Sequence, residues 1–239
     1  MEKLNLSING GQLKMLALIS MLIDHAGAVI VQRFMGMADF NYEFWYKLYE
    51  PMRIMGRVAF PIYCYLLVQG FIHTRHKGKY FFRMCIFALI SEVPFNLAIT
   101  GKFFHSGYQN VFCEMALGIS MLFFLERVKK KTLPSFLKGI LTSVIVCLAM
   151  YLGEILNFDY GYYGIFSIFI LYFFRGNKRT QLVSGALSFL WEWPAVFAFL
   201  PLSLYNGKRG RQMKYAFYVI YPLHLIIYYY IAILAGSTI

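Results

Sequence analysis

Long apolar runs recur along the chain and are separated by short polar segments. The hydrocarbon core of a bilayer is about 30 Å thick and needs roughly 20 helical residues to cross it. Eight runs approach or reach that length, at 13–32, 51–72, 80–100, 109–126, 135–153, 160–174, 182–205 and 215–236. The pattern predicts an all-α, polytopic membrane bundle of eight or nine transmembrane helices, folded as a single domain over residues 1–239.

Basic residues between the runs predict the orientation of these helices. Lys and Arg are concentrated in the loops at 73–83, 127–138 and 175–179, whereas the loop at 101–108 has a single Lys and the loop at 154–159 has no basic residue. Cytoplasmic loops of membrane proteins carry an excess of Lys and Arg. The three basic loops are therefore expected in the cytoplasm, and the N-terminus with them.

The run at 182–205 does not fit a strict alternation of the loops between the two sides of the membrane. Its WEWP segment, Trp191 to Pro194, places a charge and a helix-breaking proline in the middle of an apolar stretch. With eight crossings, the basic segment at 208–214 would lie outside. We favour a run that is broken at Pro194 into two short helices, or that re-enters the membrane, because the basic segment then returns to the cytoplasm.

Composition supports membrane insertion and excludes several classes of protein. The chain is 59% hydrophobic and 14% charged, with a mean hydropathy of +0.57. Soluble domains average about 45–50% apolar and roughly 25% charged residues. These values exclude a soluble enzyme, a nucleic-acid-binding protein and a disordered chain. We therefore expect no nucleic acid among the partners. The net charge of +12 fits loops that face anionic lipids, so we expect membrane lipids as partners.

Several ionisable and amide side chains fall inside the predicted spans. Charges at membrane depth are costly and indicate function or an internal partner. The residues are Asp24, His25, Arg53, Arg57, Glu92, Asn96, Gln109, Asn110 and Glu114. With the N-terminus inside, helix geometry places all of them in the outer half of the bilayer.

Asp24 and His25 are neighbours and point about 100° apart on a helix. Asp24 lies on the same helical face as a stripe of small residues, which permit close helix packing. They are Ala17, Ser20, Gly27 and Ala28. We expect Asp24 to pair with Arg57 and His25 to face a cavity, where its near-neutral pKa suits acid–base chemistry. The alternative is a structural ion pair beside a merely hydrogen-bonded histidine. His224, in the last span, is either a satisfied core histidine or a second polar group of the cavity.

Aromatic residues, histidines and cysteines also have informative positions along the chain. The aromatic segment at 33–50 is typical of an interfacial belt, or of a lid or acceptor platform over the polar cluster. The five histidines show no HExxH pattern or close ligand pair at membrane depth, and the four cysteines stand singly in apolar stretches. No metal site and no disulfide framework is expected.

Six segments, in this order along the chain, resemble the TraX family, which is known for N-acetylating the pilin of conjugative plasmids. They are LKMLALISMLIDHAGAV, GRVAFPIYCYLLVQGFIHTRHKGKYFFRM, ISEVPFNL, NVFCEMALG, LYNGKRG and FYVIYPLHL. The resemblance runs from about residue 11 to about residue 227 and is weakest over 128–200. The family in turn resembles a broader group of transmembrane acyltransferases.

The resemblance implies transfer of an acetyl group from cytosolic acetyl-CoA to an amine, such as a peptide N-terminus, across the bacterial cytoplasmic membrane. In the broader group of transmembrane acyltransferases, a histidine at the end of the first motif is essential. The resemblance implies that His25 is this histidine and that it would act as general base. Glu114 departs from the pattern, since a neutral, commonly hydroxyl-bearing residue is expected there. This departure leaves the identity of the acceptor open.

Site residues follow from both lines of reasoning. Asp24 and Arg57 would orient and polarise the reacting groups around His25. The acceptor side would be lined by Glu92, Asn96, Asn110, Glu114 and His224. The phosphates of acetyl-CoA would be held by Arg75, Lys79, Arg83, Lys208 and Arg209. The bias that places Lys and Arg in cytoplasmic loops also accounts for most of these basic residues.

Two other functions fit the sequence less well. An O-acyltransferase acting on a polysaccharide or lipid hydroxyl would use the same chemistry on a different acceptor. A proton-coupled transporter could use carboxyl groups at membrane depth, namely Asp24, Glu92, Glu114 and Glu192. Transporters of that kind often show internal repeats and paired broken helices, whereas this chain has one interrupted span and no visible repeat.

Overall fold

The computed structural model describes residues 7–37, 41–210 and 215–236, and this part of the chain is helical. Arg211 and Lys214 of the basic segment lie outside the described residues. The elements, in chain order, are α1 (Gly10–Ala26), a π-helical segment (Gly27–Val31), α2 (Gln32–Met35), α3 (Tyr42–Gly56), α4 (Ala59–His73), α5 (Lys77–Thr100), α6 (Val111–Lys130), α7 (Ser135–Ile155), α8 (Gly161–Phe173), α9 (Lys178–Ser188), a 3₁₀ segment (Leu190–Ala198), α10 (Phe199–Ser203) and α11 (Ala216–Leu234).

The helices confirm the predicted all-α membrane bundle. Within the described ranges, five helices are long and apolar enough to cross a bilayer: Gly10–Met35, Tyr42–His73, Lys77–Thr100, Ser135–Ile155 and Ala216–Leu234. Each of the eight apolar runs coincides with helix, so the protein is built from membrane-spanning helices. The number of crossings stays a prediction.

The predicted interruption of the run at 182–205 is confirmed. The helix α9 ends at Ser188, and a 3₁₀ segment containing Pro194 separates it from α10. Within that segment Glu192 has non-helical backbone angles, φ −129° and ψ 74°. The charge and the proline of WEWP therefore lie at a kink, where the backbone cannot continue as an α-helix.

The described residues divide into two compact units. Unit 1 comprises the described residues within Met1–Tyr63, Leu97–Gly101 and Phe189–Ile239, and unit 2 comprises Cys64–Asn96 and Lys102–Ser188. Unit 2 has a core of fully buried aliphatic side chains on α6 and α8, among them Ile119, Leu122, Ile165, Ile168 and Leu171.

In unit 1, α1 and α3 approach closely along the predicted stripe of small residues. The Ser20 hydroxyl donates to the carbonyl oxygens of Met55 and Gly56, at 2.7 and 3.1 Å. A Cβ placed on Gly27 would lie 3.2 Å from Cβ of Met52, and one placed on Gly56 would overlap Asp24. Only small side chains allow this contact, and it sets the register of α3 against α1.

The segment LYNGKRG is held by the start of α1. Asn9 caps α1 through a capping box with Gln12. The backbone N–H groups of Ile8 and Gly10 donate to the carbonyl oxygens of Leu204 and Lys208, both at 2.9 Å. The motif thus has a structural role in unit 1, since it pairs with the chain that leads into α1.

The close contact between α1 and α3 yields a first prediction. Gly56→Ala should destabilise the protein by about 1–3 kcal/mol, because the added methyl group overlaps the Asp24 side chain. Thermal unfolding of purified protein in detergent measures the change. The matched control is Gly139→Ala in α7, where a Cβ meets nothing within 4 Å and stability should not fall. Equal stability of both variants would contradict the close packing.

Candidate functional site

His25 on α1 and His224 on α11 form a histidine pair in unit 1. Nδ1 of His25 lies 2.6 Å from Nε2 of His224, and the two rings are nearly parallel, with 5° between their planes. The helices are held together beside the pair by the Tyr228 hydroxyl, which donates to the Leu22 carbonyl oxygen at 3.2 Å. His224, which the sequence leaves open as a core histidine or a second polar group of the cavity, is therefore a direct partner of His25.

The hydrogen bonds determine where the protons of the neutral pair lie. Nδ1 of His224 is 2.7 Å from the carbonyl oxygen of Ile220. A carbonyl oxygen only accepts, so Nδ1 of His224 carries the proton and its Nε2 is an acceptor. Nδ1 of His25 must then donate to that acceptor, which leaves Nε2 of His25 with a lone pair. Among the described residues, none hydrogen-bonds to this Nε2.

The Asp24 carboxylate is paired with Arg53. Nη1 of Arg53 lies 2.8 Å from Oδ2 of Asp24. The prediction that Arg57 would be the partner is wrong, because the close register of α3 on α1 places Arg53 opposite Asp24. Arg57, one turn further along, pairs through Nε with Oε1 of Glu192 at 2.8 Å. Asp24 is buried, at 8% exposed, and this ion pair balances its charge.

A pocket of about 380 Å³ in unit 1 lies over these ion pairs. Arg53 and Arg57 line it together with Glu192. The other lining residues, which are largely aromatic, are Tyr46, Tyr49, Glu50, Ile54, Trp191, Trp193 and Pro194. Its walls therefore come from the aromatic segment at 33–50 and from the kinked WEWP segment, and they combine aromatic faces with carboxylates.

Three of the predicted acceptor-side residues form a compact network in unit 2. Nδ2 of Asn110 donates to Oε2 of Glu92 at 2.6 Å and to the Ala88 carbonyl oxygen at 3.0 Å. Nδ2 of Asn96 donates to Oε1 of Glu92 at 3.2 Å. Each carboxylate oxygen of Glu92 thus accepts from one buried amide. Oδ1 of Asn110 also caps α6 by accepting from the N–H of Phe112.

Glu114, on the first turn of α6, is completely buried in unit 2. Its Oε2 accepts from the Tyr160 N–H at 3.0 Å, whereas Oε1 has no hydrogen-bond partner in the described chain. A Cβ placed on Gly164 would overlap Oε1. Glu114 therefore fills space beside α8 and satisfies a backbone group, and its predicted role toward an acceptor stays a prediction.

Substitutions at Glu114 separate these two roles. Glu114→Gln keeps the shape and an acceptor oxygen, and should change stability by less than about 1 kcal/mol. Glu114→Ala leaves a cavity and an unpaired Tyr160 N–H, and should cost about 2–4 kcal/mol. Thermal unfolding measures both. If Glu114→Gln kept full stability but lost activity, the acceptor role would replace the structural one.

The basic residues predicted to hold acetyl-CoA lie in both units. In unit 2, Arg75 and Lys79 are exposed and Arg83 is half-buried, all near the start of α5. In unit 1, Lys208 and Arg209 are exposed on the segment that pairs with the start of α1. No group of three or more His, Cys, Asp or Glu side chains in the described ranges is placed to hold a metal ion.

Sequence reasoning missed the His25–His224 contact and the roles of Arg53 and Glu192. The two histidines are 199 residues apart, so no local pattern connects them. Arg53 and Arg57 are four residues apart on one helical face, so the sequence alone does not decide which of them meets Asp24. The Gly27 and Gly56 positions were the available signal, because close approach at glycines fixes helix register.

The family described as TraX protein matches residues 9–232. A probable fimbrial assembly protein FimC, serogroup H1, from Dichelobacter nodosus is 24% identical over 249 aligned positions, covering 92% of this chain and 94% of that protein. No solved structure is significantly similar. The match spans nearly all of the described helices, and the chain belongs to the TraX family.

Proposed function

We propose that this protein is a membrane-embedded acetyltransferase that moves an acetyl group from acetyl-CoA to an amine. The observation that carries the proposal is the histidine pair, whose hydrogen bonds leave Nε2 of His25 as a free lone pair. A proton acceptor of this kind is what an attacking amine requires. Membership of the TraX family and the fimbrial assembly name of the relative are consistent with a peptide amine as acceptor.

His25 acts as general base in this scheme. Acetyl-CoA supplies an activated thioester whose C–S bond breaks as the amine nitrogen bonds to the carbonyl carbon. Nε2 of His25 accepts the proton that the amine loses, and the imidazolium so formed returns this proton to the thiolate leaving group, which departs as the free thiol of CoA. The resulting imidazolium keeps its Nδ1–H bond to His224, which stabilises the added charge.

The pocket over Arg53 and Arg57 is the acceptor site in this proposal. Its tyrosine and tryptophan faces attract a cationic amine, and the Glu50 carboxylate, which forms no ion pair among the described residues, can pair with it, whereas Glu192 is already paired with Arg57. Arg53 joins the pocket to Asp24, the neighbour of His25. The donor phosphates are assigned to the basic residues predicted for them, Arg75, Lys79, Arg83, Lys208 and Arg209. We place the protein in the bacterial cytoplasmic membrane with its N-terminus inside.

Trp193 provides a test of the acceptor pocket. Its side chain lines the pocket and is 61% exposed, so removal should not disturb the core. Trp193→Ala is expected to raise KM for the acceptor about tenfold and to leave kcat within about twofold. The reason is that Trp193 binds the acceptor equally strongly in the ground state and in the transition state. Phe104→Ala, an exposed aromatic in unit 2, is the control and should change neither constant. Unchanged KM in Trp193→Ala would remove this pocket from the proposal.

The function itself is tested by acetyl transfer in membranes that contain the protein. Membranes are supplied with acetyl-labelled acetyl-CoA, and the labelled product is treated with hydroxylamine, which releases O-acetyl esters and spares N-acetyl amides. Stable label that depends on the protein supports an amine acceptor. Released label would instead support the O-acyltransferase, and absence of protein-dependent label would contradict acetyl transfer.

A further inference from the structure

A second pocket, of about 310 Å³, lies within unit 2 at one end of its helices. It is formed where α4 and α6 end, where α5 begins and just after α8. We call it the basic pocket. Its lining residues are Phe71, Ile72, Lys77, Glu126, Lys129, Lys130, Tyr172 and Arg175. None of these side chains takes part in the proposed acetyl transfer.

The basic pocket has an excess of positive charge. Four cations line it, and the Glu126 carboxylate is the acidic group among the lining residues. Glu126 pairs with Lys77 and, at 3.4 Å, with Lys130. The formal charge of the lining is therefore +3, and among the described residues Lys129 and Arg175 form no ion pair. An anion is the group that would neutralise this surplus.

The floor of the pocket is aromatic and carries two of the cations. Phe71 and Tyr172 are buried and meet edge to face, with ring centroids 5.9 Å apart. Nζ of Lys77 lies 4.5 Å from the centroid of Phe71, and the Arg175 guanidinium lies 3.7 Å from that of Tyr172. Arg175 also donates to the Tyr172 carbonyl oxygen at 2.6 Å. These contacts hold Lys77 and Arg175 in place, which lowers the entropic cost of binding.

We propose that the basic pocket binds the phosphate of an anionic membrane phospholipid. A planar guanidinium with lysines around it suits a phosphate group. Ile72 lines the same pocket and is 38% exposed, so an accessible apolar side chain lies beside the cations, as an amphipathic lipid requires. The helix ends that form the pocket belong to the basic loops expected at the cytoplasmic leaflet, where anionic lipids attract Lys and Arg. This proposal does not depend on acetyl transfer.

Native mass spectrometry of the purified full-length protein tests the proposal. The protein is titrated with dioleoyl phosphatidylglycerol, dioleoyl phosphatidylcholine, CoA and inorganic phosphate in separate arms. We expect one phosphatidylglycerol to bind in preference to phosphatidylcholine. The double variant Arg175→Gln with Lys129→Gln should weaken that binding at least tenfold. If this variant is not recovered folded, Lys129→Gln with Lys130→Gln removes two rim cations and leaves the aromatic floor intact.

The charge-matched control is Lys131→Gln with Arg179→Gln. Both residues lie in the same basic loops but do not line the pocket. The control should retain phosphatidylglycerol as the wild type does. If phosphatidylglycerol binding fell equally in the pocket and control variants, the loss would come from the lower total charge, and the proposal would be overturned. Binding of CoA or phosphate, with no preference between the two phospholipids, would also overturn it.

Discussion

Replacement of His25 by alanine is expected to lower acetyl transfer by about 10²–10⁴-fold, the usual contribution of a positioned general base. Among the described residues, the lone pair on its Nε2 is not engaged in a hydrogen bond, while its Nδ1 is committed to His224. Initial rates with labelled acetyl-CoA, corrected for the amount of protein in the membrane, measure the loss.

Glutamine at position 25 separates chemistry from structure. In His25→Gln the side-chain amide can still donate a hydrogen bond to His224, but it cannot accept a proton at neutral pH. This variant should unfold at nearly the wild-type temperature and be as inactive as His25→Ala. His73→Ala, at the end of α4, serves as the control and should retain activity. Wild-type rates in both position-25 variants would rule out His25 as the base.

The helices were predictable because their signal is local. Each apolar run is a property of about twenty neighbouring residues, and each coincides with helix in the structure. The break at Pro194 was predictable for the same reason, since proline removes a backbone donor wherever it stands. The cap of α6 by Asn110 follows from local hydrogen bonding as well.

The site was less predictable because it depends on contacts between distant segments. Of the polar residues inside the predicted spans, Asp24, Asn96, Asn110 and Glu114 are buried, but position along a helix does not give its rotation or register. Arg53 and Arg57 differ by one turn, and the contact of Gly56 with Asp24 decides which of them pairs with that carboxylate. Likewise, the sequence places His224 in a span but does not orient it toward His25.

The basic loops show a further limit of sequence reasoning. A positive loop is expected from topology alone, so charge does not distinguish a ligand site from orientation. What distinguishes the basic pocket is geometry: Lys77 and Arg175 are fixed over the rings of Phe71 and Tyr172. These cations come from different loops of unit 2, and only the fold brings them together.

His224 is expected to matter nearly as much as His25 although it does not contact the reacting atoms in our scheme. His224→Phe removes the acceptor for Nδ1–H of His25, so the neutral ring can place its proton on Nε2 and lose the basic lone pair. We expect kcat to fall by about 10²-fold with little change in KM, because binding of donor and acceptor does not involve this bond.

Two further variants make this a test of positioning. In His224→Gln the side-chain oxygen can lie close to the position of Nε2 and accept from His25, so kcat should recover to within about tenfold of the wild type. In a His25→Ala background, His224→Phe should have no further effect, because residues that act as one unit are strongly non-additive. If glutamine does not restore kcat, or if the two losses add, His224 acts through packing and not through the proton position on His25.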